Sequence, residues 1–318
     1  MLSPLRTLAI GSFLASATAS LFPRQNINPG PVTGDTFIHD PTVVKTPEGT
    51  YLAAYTGDNI QLKTSTDRTA WKDIGPAFPD GAPWTTTYTK GNKNLWAPDI
   101  SYHGKQYFMY YSASSFGSTE SAIFLATSTT GLPGSWHNNG IVVKSKKGDD
   151  YNAIDGNLYV TSDGQWFLTF GSFWSGIKMI QLDPSTGMNL GGPLIDLAAR
   201  PNDGGAIEAP FIVQRGDYFY LWVSFDSCCK GADSTYRIMV GRSKELQGPY
   251  VDKKEKLMMQ GGGTQMLASH GSVHGPGHNA ILADNDGDVI FYHYYRDDGV
   301  AQLGINLVKY VDDWPVIY

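Results

Sequence analysis

The sequence predicts an all-β protein, a five-bladed β-propeller whose blades are small sheets of antiparallel strands. Three observations support this prediction. The chain of 318 residues is 13% aromatic and contains 36 glycines, but only 17% of its residues are charged, a composition typical of many short strands and tight turns. After the N-terminus, no helical spacing of apolar residues is sustained. A three-strand pattern recurs five times at intervals of roughly 50–70 residues, within reach of the repeat lengths of propellers.

The first 19 residues have the features of a secretory signal peptide. A single positive charge at Arg6 precedes a short apolar run, and Ala17-Thr18-Ala19 gives the small-x-small pattern of a cleavage site. The run is too short to span a bilayer. We therefore expect a secreted, extracellular protein with residues 20–34 as an N-terminal arm and residues 35–318 as the propeller domain.

Charge and cysteine content narrow the function further. The net charge of -6 gives no basic field for nucleic acid or an anionic membrane, so we expect neither partner, and a neutral sugar is compatible. We expect a monomer.

The two cysteines, Cys228 and Cys229, are adjacent. Secretion favours their oxidation, although a disulfide between neighbours is unusual, and a pair of buried thiols is the alternative.

Each repeat begins with an acidic or polar residue, continues through a turn with Gly or Asp into an aromatic-rich strand, and ends with a third strand. A small sheet cannot bury both of its faces alone, and stacking sheets around an axis solves this. A β-sandwich is the alternative, but it would not explain why the acids occur at the same position in successive repeats. The first strands start at Asp40, Asp99, Asp155, Glu208 and His278; the second strands are 51–55, 107–111, 166–170, 218–223 and 289–294; the third strands are 60–65, 123–128, 177–182, 236–240 and 303–307.

The first strand of each propeller blade lines the central channel, so these starting residues should converge there. Several carboxylates facing one pocket repel one another and raise at least one pKa. Glycoside hydrolysis needs such an arrangement, because one carboxyl group must be protonated while a second is ionised. The acids therefore predict a catalytic site in the central channel.

On these motifs the chain resembles glycoside hydrolase family 43, and is most similar to fungal endo-1,5-α-L-arabinanases. The resemblance covers essentially the whole mature chain, and it departs from the family pattern at Gly156, where many relatives have proline. Each motif is weak alone, but their order is specific. The matching stretches are His39-Asp40-Pro41, Leu95-Trp96-Ala97-Pro98-Asp99, Asn152-Ala153-Ile154-Asp155-Gly156-Asn157, Phe170-Gly171-Ser172-Phe173-Trp174-Ser175-Gly176, Ile207-Glu208-Ala209-Pro210 and Gly275-Pro276-Gly277-His278-Asn279.

The resemblance implies a propeller that hydrolyses glycosidic bonds with inversion. It implies that Asp40 is the general base that activates water, that Glu208 is the general acid, and that Asp155 orients Glu208 and raises its pKa. Inversion requires the base and acid carboxyl groups to lie about 6.5–9.5 Å apart, which leaves room for the water.

Other residues are expected to bind substrate or metal. Aromatic rings can stack on the faces of sugars, and polar side chains can bind sugar hydroxyls. Asp99 is either part of the site or a structural residue that accepts backbone N–H groups. The resemblance implies one calcium ion in the central channel, bound by His278 largely through water, and no organic cofactor. The candidate substrate-binding residues are His39, Trp96, Phe116, Asn152, Ser172 and Trp174.

The resulting hypothesis is an enzyme that cleaves the 1,5-α-L-arabinofuranosidic linkages of plant arabinan internally. The sequence ends at Tyr318, just after the fifth repeat, so we expect no second domain to close one end of the groove. One alternative is an exo-acting arabinofuranosidase or β-xylosidase of the same family. Another, of a different class, is a non-catalytic sugar-binding propeller, which would not need all three carboxylates.

Overall fold

The structure is a computed structural model that describes residues 26–318. The predicted signal peptide and residues 20–25 of the predicted arm lie outside the described residues. Residues 26–318 form five sheets arranged as the blades of a β-propeller, which confirms the predicted fold class. Within this range, no helix is both long enough and apolar enough to cross a membrane.

The first two blades each contain five strands. In blade 1 the sheet order is β1-β6-β5-β3-β2, and in blade 2 it is β10-β9-β8-β7-β4. Blade 1 consists of β1 (Thr33–Gly34), β2 (Thr42–Lys45), β3 (Tyr51–Tyr55), β5 (Gln61–Ser65) and β6 (Ala70–Pro76), and blade 2 of β4 (Gly57–Asp58), β7 (Asn94–His103), β8 (Gln106–Ala113), β9 (Ser121–Ser128) and β10 (His137–Ser145).

The other three blades each contain four antiparallel strands in sequence order. A short α-helix (Thr86–Thr89) and 3-10 turns at Pro83–Thr85, Gly231–Asp233 and Met258–Gln260 lie in the connections. Blade 3 consists of β11 (Asn157–Val160), β12 (Trp166–Phe170), β13 (Ile177–Leu182) and β14 (Ile195–Ala198); blade 4 of β15 (Ile207–Arg215), β16 (Tyr218–Phe225), β17 (Arg237–Ser243) and β18 (Thr264–Leu267); blade 5 of β19 (His274–Asp284), β20 (Gly287–Tyr295), β21 (Ala301–Val311) and β22 (Trp314–Ile317).

The fifteen predicted strands correspond to the three inner strands of each blade, with ends that differ by a few residues. The prediction gave no blade a fourth strand, whereas the structure has β6, β10, β14, β18 and β22 in this place, and it also lacked the two-residue strands β1 and β4. Of these, β14, β18 and β22 have only four residues each, which is too short for an alternating pattern to be distinguished from a loop.

Each interface between neighbouring blades contains its own hydrophobic core. The clusters combine apolar side chains from two adjacent sheets, as expected for sheets that cannot bury both faces alone. Around the ring, the interfaces are represented by Leu62 with Phe124, Leu125 with Leu168, Met179 with Leu221, Trp222 with Tyr292, and Phe291 with Ala53.

The N-terminal arm closes the ring between blade 5 and blade 1. The Gly30 N–H donates to the Ile305 carbonyl, and the Leu303 N–H donates to the Thr36 carbonyl, so the arm lies along β21 of blade 5. It then forms β1, which pairs in parallel with β6 of blade 1. Because the arm hydrogen-bonds to the last blade and the first, it holds the two ends of the chain together.

Candidate active site

The innermost strands β2, β7, β11, β15 and β19 lie against one another around the axis, and a cavity of about 1,090 Å³ opens there. Residues from all five blades line it. The three predicted catalytic acids, the six predicted substrate-binding residues and His278 are all among the lining residues. The structure therefore brings every predicted site residue to one cavity. The separation of the carboxyl groups expected for inversion stays a prediction.

Near the start of each innermost strand, either two residues before it or among its first five residues, one residue has the left-handed backbone conformation. We call this residue and its neighbours the axial turn. The left-handed residues have φ between 47° and 60°, a conformation that is uncommon outside glycine. In each axial turn the backbone N–H of this residue is accepted by a side chain of the preceding blade. The five pairs are Asp40 N–H with His293 Nδ1, Ala97 with Thr56 Oγ1, Asp155 with Ser112 Oγ, Ala209 with Asp155 Oδ2, and His278 with Ser224 Oγ.

The sequence predicted that all five starting residues occupy equivalent positions, and the axial turns show that two of the acids do not. The five equivalent positions are Asp40, Ala97, Asp155, Ala209 and His278, so Asp40, Asp155 and His278 hold the predicted position. Glu208 lies one residue before its left-handed residue, and Asp99 lies two residues after its own. The ladders are irregular at both places, between Glu208 and Phe211 and between Trp96 and Asp99. A bulge of this kind shifts which side chain faces the axis.

Asp40 is a buried carboxylate surrounded by donors and imidazoles. The Thr56 hydroxyl donates to Asp40 Oδ2 at 2.6 Å, and His39 Nδ1 lies 2.9 Å from the same oxygen. His278 Nδ1 lies 3.2 Å from Asp40 Oδ1. His293 accepts the Asp40 backbone N–H through Nδ1 at 3.1 Å, so this nitrogen carries no proton and the ring is neutral.

This environment keeps Asp40 ionised. Burial alone would raise its pKa, but the nearby imidazoles of His39 and His278 outweigh burial and hold the pKa of Asp40 well below its usual range. The same contact acts on His39, whose pKa is raised by the Asp40 charge despite its burial. A carboxylate that stays ionised beside open cavity is suited to accept a proton from water.

Glu208 has the opposite character although it lines the same cavity. Its side chain is buried, and burial raises its pKa to about 7, helped by the negative charge of Asp40. The Ser172 hydroxyl donates to Glu208 Oε2 at 2.6 Å, which favours the charged form but does not outweigh burial. Glu208 therefore holds a proton through the mildly acidic pH range, while Asp40 does not.

Asp155 is tied to the turn that carries Glu208. Its Oδ2 accepts the Ala209 N–H at 3.1 Å, and its own N–H donates to Ser112 at 3.0 Å. Burial raises the pKa of Asp155, and the charges of Glu208 and Asp40 raise it further. The next residue is Gly156, where a Cβ atom would lie 3.3 Å from side chains of blades 2 and 3, so the strand packs closely at this point.

Asp99 fastens blade 2 to blade 3. Its Oδ2 accepts the Leu158 N–H at 2.8 Å and its Oδ1 accepts an Asn157 Nδ2–H at 3.2 Å. Asp99 is absent from the lining of the large cavity. Of the two readings that the sequence left open, the structure supports the structural one. The equivalent residues of blades 1 and 3 also accept a backbone N–H of the next blade. Thr42 Oγ1 accepts the Ile100 N–H, and Asn157 Oδ1 accepts the Ile212 N–H.

The predicted substrate-binding residues differ in exposure. Phe116 is 84% exposed and Trp174 is 44% exposed, which is unusual for large apolar side chains. Trp96 packs edge-on against Phe116, with ring centroids 6.3 Å apart. Asn152 is buried, and its Oδ1 has no hydrogen-bond donor among residues 26–318. Ser172 and His39 contact the acids rather than open solvent.

A second, small cavity of about 10 Å³ lies next to the axial turns, lined in part by Asp155, His278 and Asn279. Its size suits about one water-sized occupant. The Asn279 side chain is buried, and neither its oxygen nor its nitrogen has a partner among the described residues. A cavity of this size has no room for a calcium ion with its shell of waters. His278 also lines the large cavity, where carboxylate oxygens and an imidazole can accept a hydrated hard cation. The residues there fit the implied calcium ion, and its binding at His278 stays a prediction.

Sequence reasoning missed several residues that complete the site. Thr56 bridges two blades, since it donates to Asp40 and accepts the Ala97 N–H. The Tyr295 hydroxyl and His39 Nε2 share a hydrogen bond of 2.7 Å, and the His293 ring stacks on His39 with centroids 4.1 Å apart. These residues lie far from Asp40 in sequence or in featureless stretches. One signal existed, because His293 and Tyr295 alternate along a strand with the period that directs side chains to one face.

Comparisons with known proteins agree with this architecture. The sequence profile of Glycosyl hydrolases family 43 matches residues 30–315. The Extracellular endo-alpha-(1->5)-L-arabinanase 1 of Bacillus subtilis (strain 168) is 43% identical over 286 residues, which cover 87% of each chain. The structure of a GH43 endo-arabinanase from Bacillus licheniformis superimposes with a TM-score of 0.85 at 44% identity, covering 90% of this chain and 99% of that one.

A third similar protein acts differently. The crystal structure of an exo-1,5-alpha-L-arabinanase from a bovine ruminal metagenomic library has a TM-score of 0.83 at 37% identity, and covers 89% of this chain and 97% of that chain. Likeness in fold therefore extends to proteins with both modes of cleavage. The family match spans nearly all of the described residues and includes all three acids of the cavity. The chain is a glycoside hydrolase, and it belongs to glycosyl hydrolases family 43.

Proposed function

We propose that the protein hydrolyses the 1,5-α-L-arabinofuranosidic linkages of arabinan internally, by an inverting mechanism with Asp40 as general base and Glu208 as general acid. One observation carries the proposal: two carboxyl groups of opposite protonation state line one cavity. Asp40 is held ionised by imidazoles, whereas burial raises the pKa of Glu208 to about 7. Inverting hydrolysis needs both states at the same pH.

In the proposed step, Asp40 removes a proton from a water molecule as that water attacks the anomeric carbon. Glu208 donates its proton to the departing glycosidic oxygen, so the bond to the leaving sugar breaks as the bond to water forms. The Thr56 hydroxyl and His39 orient the Asp40 carboxylate, and the Ser172 hydroxyl orients Glu208. General acid–base catalysis of this kind contributes about 10²–10⁴-fold each.

Asp155 acts on Glu208 through the backbone. Because Asp155 accepts the Ala209 N–H, it fixes the turn that carries Glu208. The two buried carboxyl groups also oppose each other's ionisation, so the pair retains a proton. Calcium, when bound by His278 and the oxygens nearby, would add positive charge to the pocket and order it. No step above depends on that ion.

The cavity favours internal cleavage. Its volume of about 1,090 Å³ exceeds the size typical of pockets for a single small molecule, about 300–1,000 Å³, so it can hold several sugar units. Exposed aromatic rings from two blades, Phe116 and Trp174, stand on its wall, where they can stack on sugar faces. The unpartnered oxygen of Asn152 can accept a sugar hydroxyl. Two of the relatives above are named as endo-acting arabinanases.

Exo cleavage by the same acids is the second candidate, and it is favoured by one similar structure that is an exo-arabinanase. A β-xylosidase is a further option within the family. A non-catalytic sugar-binding propeller would have no need for three buried carboxylates with shifted pKa values. We also propose that the protein is secreted, which agrees with the relative named as extracellular, and the monomeric state stays a prediction.

Product analysis on linear arabinan tests the proposal. Endo cleavage gives a ladder of oligosaccharides at the earliest times, whereas monomer alone from the outset would reject it in favour of exo cleavage. The matched control is Glu208→Gln, which should give neither product pattern. If this variant, folded and free of wild-type enzyme, released products at the wild-type rate, Glu208 would have no catalytic role.

A further inference from the structure

The proposed mechanism leaves one unusual element of the cavity unused. Cys228 and Cys229 form a disulfide, so the structure selects one of the two alternatives left open by the sequence. Both residues lie in the cavity wall, in the loop after β16 of blade 4, where Cys228 is half-buried and Cys229 is exposed. The disulfide is thus within reach of a bound substrate.

The disulfide is attached to the residues around the proposed base. The Cys229 N–H donates to Tyr295 Oη at 3.0 Å, and the Tyr295 hydroxyl is hydrogen-bonded to His39 Nε2 at 2.7 Å. Cys229 Sγ itself lies 3.9 Å from His39 Nε2. His39 is also in contact with Asp40. These contacts fix the two sulfurs on the side of the cavity where the proposed base lies.

A stabilising role explains this disulfide poorly. Disulfides stabilise folded proteins mainly by restricting the unfolded chain, and the effect increases with the length of the loop that they close. A bond between adjacent residues closes the shortest loop that the chain allows, so it restricts the unfolded chain very little. Its effect must be local, on the shape and the chemistry of the cavity wall.

We propose that the Cys228–Cys229 disulfide forms a substrate-binding surface that packs against the apolar C–H face of the pentose unit bound beside His39 and Asp40. This proposal rests on the proposed function. Sulfur is polarizable and makes favourable dispersion contacts, and a disulfide has no hydrogen to donate. The aromatic candidates Trp96, Phe116 and Trp174 come from blades 2 and 3, so the disulfide supplies an apolar surface from blade 4.

The covalent bond also makes this surface rigid. A surface that is already ordered costs less conformational entropy when substrate binds. Reduction would convert the disulfide into two thiols, each free to rotate about its own Cβ–Sγ bond, and the exposed Cys229 side chain could turn into solvent. We therefore expect reduction to weaken substrate binding without changing the acids that carry out the reaction.

The test compares steady-state kinetics on linear arabino-oligosaccharides before and after reduction with a phosphine, with the free thiols counted by alkylation. The expected result is a rise in KM of about threefold to tenfold, equivalent to about 0.7–1.4 kcal/mol of lost binding free energy, with kcat changed less than about twofold. The Cys228→Ser/Cys229→Ser double variant should show the raised KM and no further response to the phosphine. Melting temperatures show whether each sample is folded.

Two results would overturn the proposal. One is an unchanged KM when alkylation shows two free thiols in folded enzyme. The other is a fall in kcat at constant KM, which would mean that the disulfide acts through Tyr295 and His39 on the base rather than on bound sugar. Neither result would contradict the proposed function. The proposed function would be contradicted if the untreated enzyme did not cleave arabinan. If the double variant does not fold, the reduced wild-type enzyme supplies the answer alone.

Discussion

The axial turns of blades 2 and 3 share the same backbone conformation and hydrogen bond, but their aspartates have different roles. In both turns a left-handed residue donates its N–H to a side chain of the preceding blade, Ala97 to Thr56 and Asp155 to Ser112. In blade 3 the left-handed residue is itself the aspartate, and it lines the large cavity. In blade 2 the aspartate is Asp99, two residues later, and it does not line that cavity.

A shift of two residues therefore separates a structural aspartate from one in the proposed catalytic site. Both are buried, and both accept a backbone N–H from the following blade. Burial raises the pKa of Asp99 to about 6, close to the value of about 7 for Glu208. A raised pKa alone does not identify a catalytic acid. Access to the large cavity, together with a second carboxylate of opposite protonation state, distinguishes the two regions.

The largest expected effect comes from removing either acid of the proposed catalytic pair. Asp40→Asn removes the group that accepts the proton from water, and Glu208→Gln removes the proton donor. Each change should lower kcat on arabinan about 10³-fold, and both replacements preserve the shape of the side chain. Kinetics measure the loss, while melting temperatures within a few degrees of wild type would show intact folding. Activity near the wild-type level in either variant would remove that residue from the mechanism.

Asp155→Asn should give the next largest loss. The amide oxygen can still accept the Ala209 N–H, but the second ionisable carboxyl group beside Glu208 is gone, and with it the repulsion that disfavours ionisation of the pair. We expect kcat to fall about 10²-fold with little loss of stability. Asp155→Ala removes the acceptor as well, and it should lower both kcat and the melting temperature. An Asn variant with full activity would mean that Asp155, like Asp99, serves the fold alone.

The pH dependence of kcat/KM separates the two proposed roles further. Glu208 must be protonated, and its pKa of about 7 places the alkaline limb there, with a tenfold loss per pH unit above it. Asp40 must be ionised, and its lowered pKa keeps it so through mildly acidic pH. Activity should therefore be constant at mildly acidic pH and fall above neutrality. Wild-type activity that does not fall by pH 9 would contradict this assignment. So would an alkaline limb that lies at the same pH in Asp155→Asn as in wild type.

Asp99→Ala is the counterpart in the structural region, with the smallest expected effect on catalysis. It leaves two buried donors, the Leu158 N–H and Asn157 Nδ2, without their acceptor. Each orphaned donor costs about 1–3 kcal/mol, so denaturant unfolding should show a loss of about 2–6 kcal/mol. At a temperature where the variant is folded, kcat should stay within about twofold of wild type. A large loss of kcat with unchanged stability would place Asp99 in the site.

Local sequence patterns were sufficient for the blades and for most of the site. The alternating aromatic strands and Gly- or Asp-containing turns defined three strands of every blade, and the acids at their starts pointed to the axis. Asp40, Asp155 and His278 occupy the predicted position. The offset of Glu208 and Asp99 could not be predicted, since a bulge displaces the register by one residue and exchanges the two faces of a strand.

Contacts between distant parts of the chain lay beyond sequence reasoning. Tyr295 contacts His39 across 256 positions, and His293 contacts Asp40 across 253, and no local pattern records such a pairing. The fourth strand of every blade was missed, and in blades 3, 4 and 5 that strand has four residues, which give too few alternations. The arm was expected to be extended, and its residues 26–34 include β1. The parallel pairing of β1 with blade 1 becomes visible only when the ring of blades is closed.

If Glu208 donates a proton to the leaving group while Asp40 activates water, the two variants should differ on a substrate whose leaving group needs no proton. The measurement is kcat for Asp40→Asn and Glu208→Gln on an arabino-oligosaccharide with a dinitrophenolate leaving group, compared with arabinan. A good leaving group departs without protonation. We expect Glu208→Gln to regain most of its lost rate on the activated substrate and Asp40→Asn not to do so. Equal inactivity of the two variants on both substrates, or recovery by Asp40→Asn instead, would show that these roles are wrong.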